Sequence, residues 1–180
     1  FHKMSEADWD AVVRVHLYGG FHVIHAAWPH LREQRHGRVV VATSTSGIYG
    51  NFGQANYGAA KGGLIGLINT LAIEGAKYNI RANAIAPMAA TRMTEDIAPP
   101  EVLAKLAPAH VAPVLGYLLT DECEESGSVL VAGGGQVHRV RQFQTKGVRF
   151  AEVPSMEEVA DRWGEIVDLT GAVPGTDPVG

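Results

Sequence analysis

"GRVVVATSTSGIYGNFGQANYGAAK", residues 37–61, decides how this chain is read. It opens with a glycine and a short, continuous run of β-branched side chains, which suits a strand buried on both faces, as in a parallel sheet. A glycine-rich stretch follows, and then a helix predicted over about residues 55–77. This order places Ser44 at the carboxyl end of a strand and Tyr57 thirteen residues later, at the start of the helix. In open α/β sheets ligands bind beyond the carboxyl ends of the strands, so both side chains are expected to face that crevice.

Tyr57 and Lys61 are four residues apart. On a helix such positions share a face, with Cβ atoms about 5–6 Å apart. A phenol with its ordinary pKa near about 10 is a poor base at neutrality, and a fixed ammonium beside it favours the phenolate. Lys61 can also donate hydrogen bonds to a sugar hydroxyl. Ser44 can bond a carbonyl or alcohol and steady charge as it develops. Gly58, Ala59, Ala60, Gly62 and Gly63 leave room for a flat ligand or a second helix. The pair alone is a weak signal, since a surface Tyr–Lys contact contributes only about 0.2–0.5 kcal/mol. The upstream serine makes it specific.

Working outward, Ser5 and Asp8 form a capping-box-like start. Trp9, Val12, Val13, Leu17, Phe21, Ile24, Trp28 and Leu31 then recur at helical spacing, which predicts an amphipathic helix over residues 6–35. Pro29 is expected to kink it or end its regular part. Gly19 and Gly20 lie inside this helix at a cost of about 1 kcal/mol each, which suggests close approach of another backbone. "IRANAIAP" (80–87) reads as a second buried strand closed by Pro87, and "GSVLVAGG" (127–134) as a last strand. Helices are expected near residues 100–106 and 108–120. In the tail, "GVRFAEV" reads as an edge strand and "SMEEVADRWGEIVDL" as a helix capped by Ser155, and "TGAVPGTDPVG" is expected to be loose.

Strands alternating with helices give an α/β class with a parallel sheet. Three such strands expose an apolar edge. The expectation is therefore the C-terminal part of a Rossmann-type doubly wound sheet, with an extra C-terminal helix and about 100 further residues upstream. The domain division expected is 1–137 for the sheet and 138–180 for an extension.

The chain has 180 residues, 46% hydrophobic and 19% charged, with formal charge −4. That balance offers no basic footprint for nucleic acid or an anionic membrane. No apolar run reaches the ~18 residues of a membrane span. Cys123 is the only cysteine, so no internal disulfide forms and a reducing, cytoplasmic setting is expected. His16, His22, His25 and His30 share one helix, but no third ligand or H-E-x-x-H pattern accompanies them, and no metal site is expected.

Together, "ATSTSGIYGNFGQANYGAAK" and "IRANAIAP" resemble the short-chain dehydrogenase/reductase family over residues 1–137. "FHKMSEADWDAVVRVHLYGGF", "APMAATRMT" and "ECEESGSVLVAGGGQVHRVRQ" resemble, more narrowly, its (3R)-hydroxyacyl-CoA dehydrogenase branch in multifunctional enzymes and bacterial relatives. The resemblance implies catalytic roles for Ser44, Tyr57 and Lys61, with Tyr57 and Lys61 also meeting the cofactor. It implies a nicotinamide loop from Pro87 through Ala89 to Thr91, with Thr91 donating a hydrogen bond. NAD is the implied cofactor, with NADP as the alternative, and an acyl-CoA or other small carbonyl compound the implied substrate. Most of the family has asparagine, which helps hold a proton-relay water, where this chain has His16. Relay and packing are both open for His16. Met88 stands where a glycine usually follows the proline.

The resemblance also implies a homodimer or homotetramer through the helices at 6–35 and 55–77. Two other readings are a carbonyl reductase for a smaller ketone or a steroid, and a non-catalytic oligomerising domain.

Overall fold

The computed structural model describes residues 1–89 and 106–175. The helix expected near 100–106 and Thr91 lie outside the described residues. Two compact units emerge, Phe1–Val140 and Arg141–Gly180.

In the first unit, α1 (Glu6–Val13) begins at a complete capping box, in which the Ser5 hydroxyl accepts from the Asp8 amide and the Asp8 carboxylate accepts from the Ser5 amide. The helix continues through a π-helical turn, Arg14–Tyr18, into α2 (Gly19–Glu33). Pro29 lies inside α2 and does not end it. β1 (Gly37–Ala42) leads into a short helix, α3 (Thr45–Tyr49), where the sequence suggested only a loop. The long helix α4 spans Ala55–Gly75, and β2 runs from Ile80 to Pro87. After a 3-10 turn at Pro108–His110 come α5 (Ala112–Leu118) and β3 (Val129–Gly133).

β1, β2 and β3 are parallel neighbours, with Ala42 opposite Ile85 and Pro87 opposite Ala132. Their carboxyl ends therefore share one edge of the sheet. β3 is not the last strand, as the sequence had suggested. Gly134 and Gly135, at φ 59° and 78°, turn the chain into β4 (Gln136–Val140), which pairs antiparallel with β3. Two consecutive residues with positive φ make the tight turn that suits hairpin twist, and glycine adopts it without strain.

The core of this unit lies between α4 and the sheet. Val41, Leu64, Ile68, Ala82, Ala84 and Val129 form its buried centre, with Leu17 and Ile24 packed at its margin. Asn83 is fully buried in β2, where its side chain donates to the Glu125 carbonyl and accepts from the Ser128 amide. These bonds satisfy a polar group that would otherwise cost about 1–3 kcal/mol, and they fix where β3 begins.

In the second unit, the expected strand at 147–153 does not form. Phe143–Gln144 (β5) pairs instead with Val173–Pro174 (β6), which gives order to part of a segment read as loose. The expected single helix is two, α6 (Met156–Asp161) and α7 (Trp163–Val167), because Arg162 at φ −102° and ψ 9° leaves the helical region. The Ser155 cap is present, closed by Glu158 in a capping box.

Candidate active site

Ser44 leaves β1 in an extended conformation (φ −155°, ψ 154°) and caps α3. Its Oγ accepts from the Ser46 amide at 3.1 Å, which leaves the hydroxyl proton to donate. α3 then lies directly on α4. A Cβ on Gly47 would come within 2.7 Å of the Gly62 amide nitrogen and of Lys61 Cβ, and one on Gly58 within 3.1 Å of the Ser46 carbonyl oxygen. Ser46 Oγ donates to Gln54 Oε1 at 2.8 Å. The small residues around Tyr57 and Lys61 thus receive α3, which brings the Ser44 turn against the first turns of α4.

Gly63 serves a different neighbour, since a Cβ there would meet Leu17 Cδ1 at 3.1 Å. Gly20 faces Leu64 Cδ2 at 2.8 Å, a side chain rather than the backbone expected from the sequence, and Gly19 has nothing within 4 Å.

Lys61 is buried, and its ammonium donates to the Ala42 carbonyl oxygen at 2.7 Å. Its backbone carbonyl accepts from the buried Thr43 hydroxyl at 2.8 Å. Helix and strand end are thereby joined at two points. Desolvation pushes the Lys61 ammonium below the usual lysine range. Its Nζ lies 5.6 Å from the centroid of the Tyr57 ring, within cation–π range.

His16 meets the same ring. Its imidazole stands at right angles to the phenol, with centroids 5.0 Å apart. Burial first, and the Lys61 charge second, hold His16 below the usual histidine value. Asn56 anchors the start of α4 by donating to the Asp8 carbonyl at 3.0 Å while its Oδ1 accepts from the Tyr57 amide at 2.8 Å.

The second wall begins at the end of β2. The Met88 amide donates to the Ala132 carbonyl at 2.8 Å, so the β2–β3 ladder runs one residue past Pro87. A Cβ on Gly133 would lie 2.7 Å from Met88 Cβ, and closer still to its carbonyl oxygen. A glycine on the facing strand thus gives room to the methionine that replaces the one usual after the proline. Pro87 and Ala89 lie on the same sheet edge as Ser44.

The structure therefore brings Tyr57, Lys61 and His16 together and places Ser44 on the turn that caps α3, which packs on α4. Thr43, Asn56 and Gly47 were not singled out in the sequence. Thr43 could have been, as a hydroxyl beside Ser44 at a strand end. Among the described residues, His22 and His25 join Tyr18 and Phe21 in an aromatic cluster, with centroid separations of 5.2 Å for Phe21–His22 and 5.3 Å for Phe21–His25.

The family model for short chain dehydrogenases matches residues 1–101. The chain belongs to that family. It is 68% identical over 172 residues to a Mycobacterium tuberculosis protein assigned to the short-chain type dehydrogenases/reductases, covering 96% of this chain and 60% of the relative. It is 47% identical to mouse peroxisomal multifunctional enzyme type 2, covering 96% of this chain and 24% of that enzyme. Full-length multifunctional enzyme type 2 from Drosophila melanogaster superposes with a TM-score of 0.87 at 41% identity, covering 96% of this chain and 32% of that one. The chain thus spans less than two thirds of each of these proteins.

Proposed function

We propose that the protein oxidises a secondary alcohol, a (3R)-hydroxyacyl-CoA, to the corresponding ketone, using NAD. The observation that carries this reading is the buried Lys61 ammonium, held 5.6 Å from the Tyr57 ring centre at the carboxyl edge of the sheet. Burying an ammonium is a costly way to tie a helix to a strand end, which argues against a purely oligomerising domain.

In the proposed reaction the alcohol proton passes to the Tyr57 oxygen, and the carbinol hydrogen leaves with its electron pair. The nicotinamide ring supplies the hydride acceptor. Ser44 donates its free O–H to the substrate oxygen and stabilises the forming carbonyl. The Lys61 ammonium stands 5.6 Å from the ring centre of the tyrosine that takes the proton. An ammonium has three donors; among the described residues Ala42 takes one and two remain for the ribose hydroxyls, so the donor set fits a nicotinamide nucleotide. Pro87 and Ala89 line the nicotinamide side, and Thr91 is proposed to donate to its amide. NADP would supply the same chemistry.

A homodimer or homotetramer through α1–α2 and α4 is proposed as well. Val15, Val23 and Ile73 stand 67–72% exposed on these helices and are the apolar side chains such contacts would cover. Among the described residues no helix is long and apolar enough to cross a membrane. Cys123 is buried and free, which suits the cytoplasmic setting proposed.

The test is a spectrophotometric assay of the full-length protein with NAD and the separate (3R) and (3S) isomers of a 3-hydroxyacyl-CoA. Reduced nicotinamide should accumulate with the (3R) isomer. Turnover of small ketones or steroids without either acyl-CoA isomer would favour the carbonyl reductase instead.

A further inference from the structure

The turn that carries His16 is not α-helical. The Gly19 amide donates to the Arg14 carbonyl, five residues back, and this bond closes a π turn over Arg14–Tyr18. Such turns are rare, occur mostly as single turns within α-helices, and rotate the residues they contain relative to a regular helix. Here Leu17 packs where Gly63 of α4 has no side chain, its Cδ1 3.1 Å from the position a Cβ would take. The adjacent His16 then lies at right angles to the Tyr57 ring, 5.0 Å between centroids.

Two groups therefore bear on one phenol. Lys61 approaches the ring with its ammonium, and His16 meets it in the T-shaped geometry that aromatic pairs prefer. Tyr57 stands near the start of α4, between Asn56 and Gly58, and is half-buried.

We propose that His16 is a positioning residue: through its ring contact it fixes the plane of the Tyr57 phenol, while proton exchange belongs to Tyr57 and Lys61. The assignment rests on the proposed role of Tyr57 as the base. Burial first, and the Lys61 charge second, disfavour a second cation at His16. What His16 is seen to supply is a ring at right angles to the phenol, 5.0 Å between centroids.

Three variants of the full-length protein separate this role from a relay. His16→Ala removes the ring, His16→Asn restores a polar group without it, and His16→Phe restores a ring without the nitrogens. A misplaced reacting group can cost about 10²-fold in rate. His16→Ala and His16→Asn should each lose kcat on that order with KM little changed, and His16→Phe should recover most of the loss. Recovery by His16→Asn and not by His16→Phe would overturn the proposal.

A second readout needs no turnover. In aromatic NMR of protein labelled in the tyrosine rings, the Tyr57 ring should flip faster in His16→Ala than in the parent, and slow again in His16→Phe. Equal flip rates in the parent and His16→Ala would overturn the positioning role even if no substrate is turned over. Absence of turnover by the parent protein would count against the proposed reaction alone.

Discussion

The Lys61 ammonium donates a 2.7 Å hydrogen bond to the carbonyl oxygen of Ala42, tying the first turns of α4 to the end of β1. A buried charge is retained there at a cost to stability, because desolvation has lowered its proton affinity.

Lys61→Met should therefore separate activity from stability. Burial penalises the Lys61 ammonium in the folded chain, and methionine removes that penalty. Turnover should fall by at least about 10²-fold. The melting temperature should hold or rise, as followed by circular dichroism. The parent should also gain stability as pH climbs toward the ordinary lysine value of about 10.4, because there the unfolded chain binds the extra proton, and Lys61→Met should lack that gain. A large drop in melting temperature would contradict this account.

His16 gives the opposite end of the pH scale. Its folded-state proton affinity is below the ordinary value, so as pH falls below about 6.5 the unfolded chain takes up the proton first. Stability should be full above that pH and decline beneath it. His16→Phe should flatten this decline in thermal melts taken between about pH 7 and pH 5. An unchanged slope would show that other groups set it.

Gly47→Ala tests the contact between α3 and α4. Its new methyl would lie 2.7 Å from Lys61 Cβ and from the Gly62 nitrogen, both on a long helix packed against the sheet. Overpacking of this kind costs about 1–3 kcal/mol. Urea denaturation should show that loss, and kcat should fall as the Ser44 turn is displaced.

Much of this arrangement was legible in the sequence, because its elements are local. The spacing of Ser44, Tyr57 and Lys61 follows from strand and helix periods, and the β-branched run at 37–42 and the Ile- and Ala-containing run at 80–87, closed by Pro87, marked the strands that carry the site. Glycines were harder to read. Gly62 and Gly63 promised room, but whether α3, Leu17 or a ligand fills it depends on distant packing. The π turn had no pattern of its own, since a helical period of apolar residues continues across it. β4 was missed because its glycine turn was taken for an exit, and its exposed, polar residues lack the apolar run of a buried strand. The tail was misread because a two-residue ladder between Phe143–Gln144 and Val173–Pro174 leaves almost no periodic trace.

Gly133→Ala examines the β2–β3 edge. Met88 has no room to accept the added methyl, so the chain through Ala89 should shift. The expected result is a raised KM for NAD with a smaller change in kcat. An unchanged KM would mean that this segment does not contact the nicotinamide nucleotide.

The most direct test is the single-turnover rate of Tyr57→Phe in the full-length protein, with NAD and a (3R)-3-hydroxyacyl-CoA. Loss of one hydroxyl should reduce hydride transfer by at least about 10²-fold while circular dichroism and melting temperature stay near those of the parent. A rate close to that of the parent would show that the proton leaves by another route.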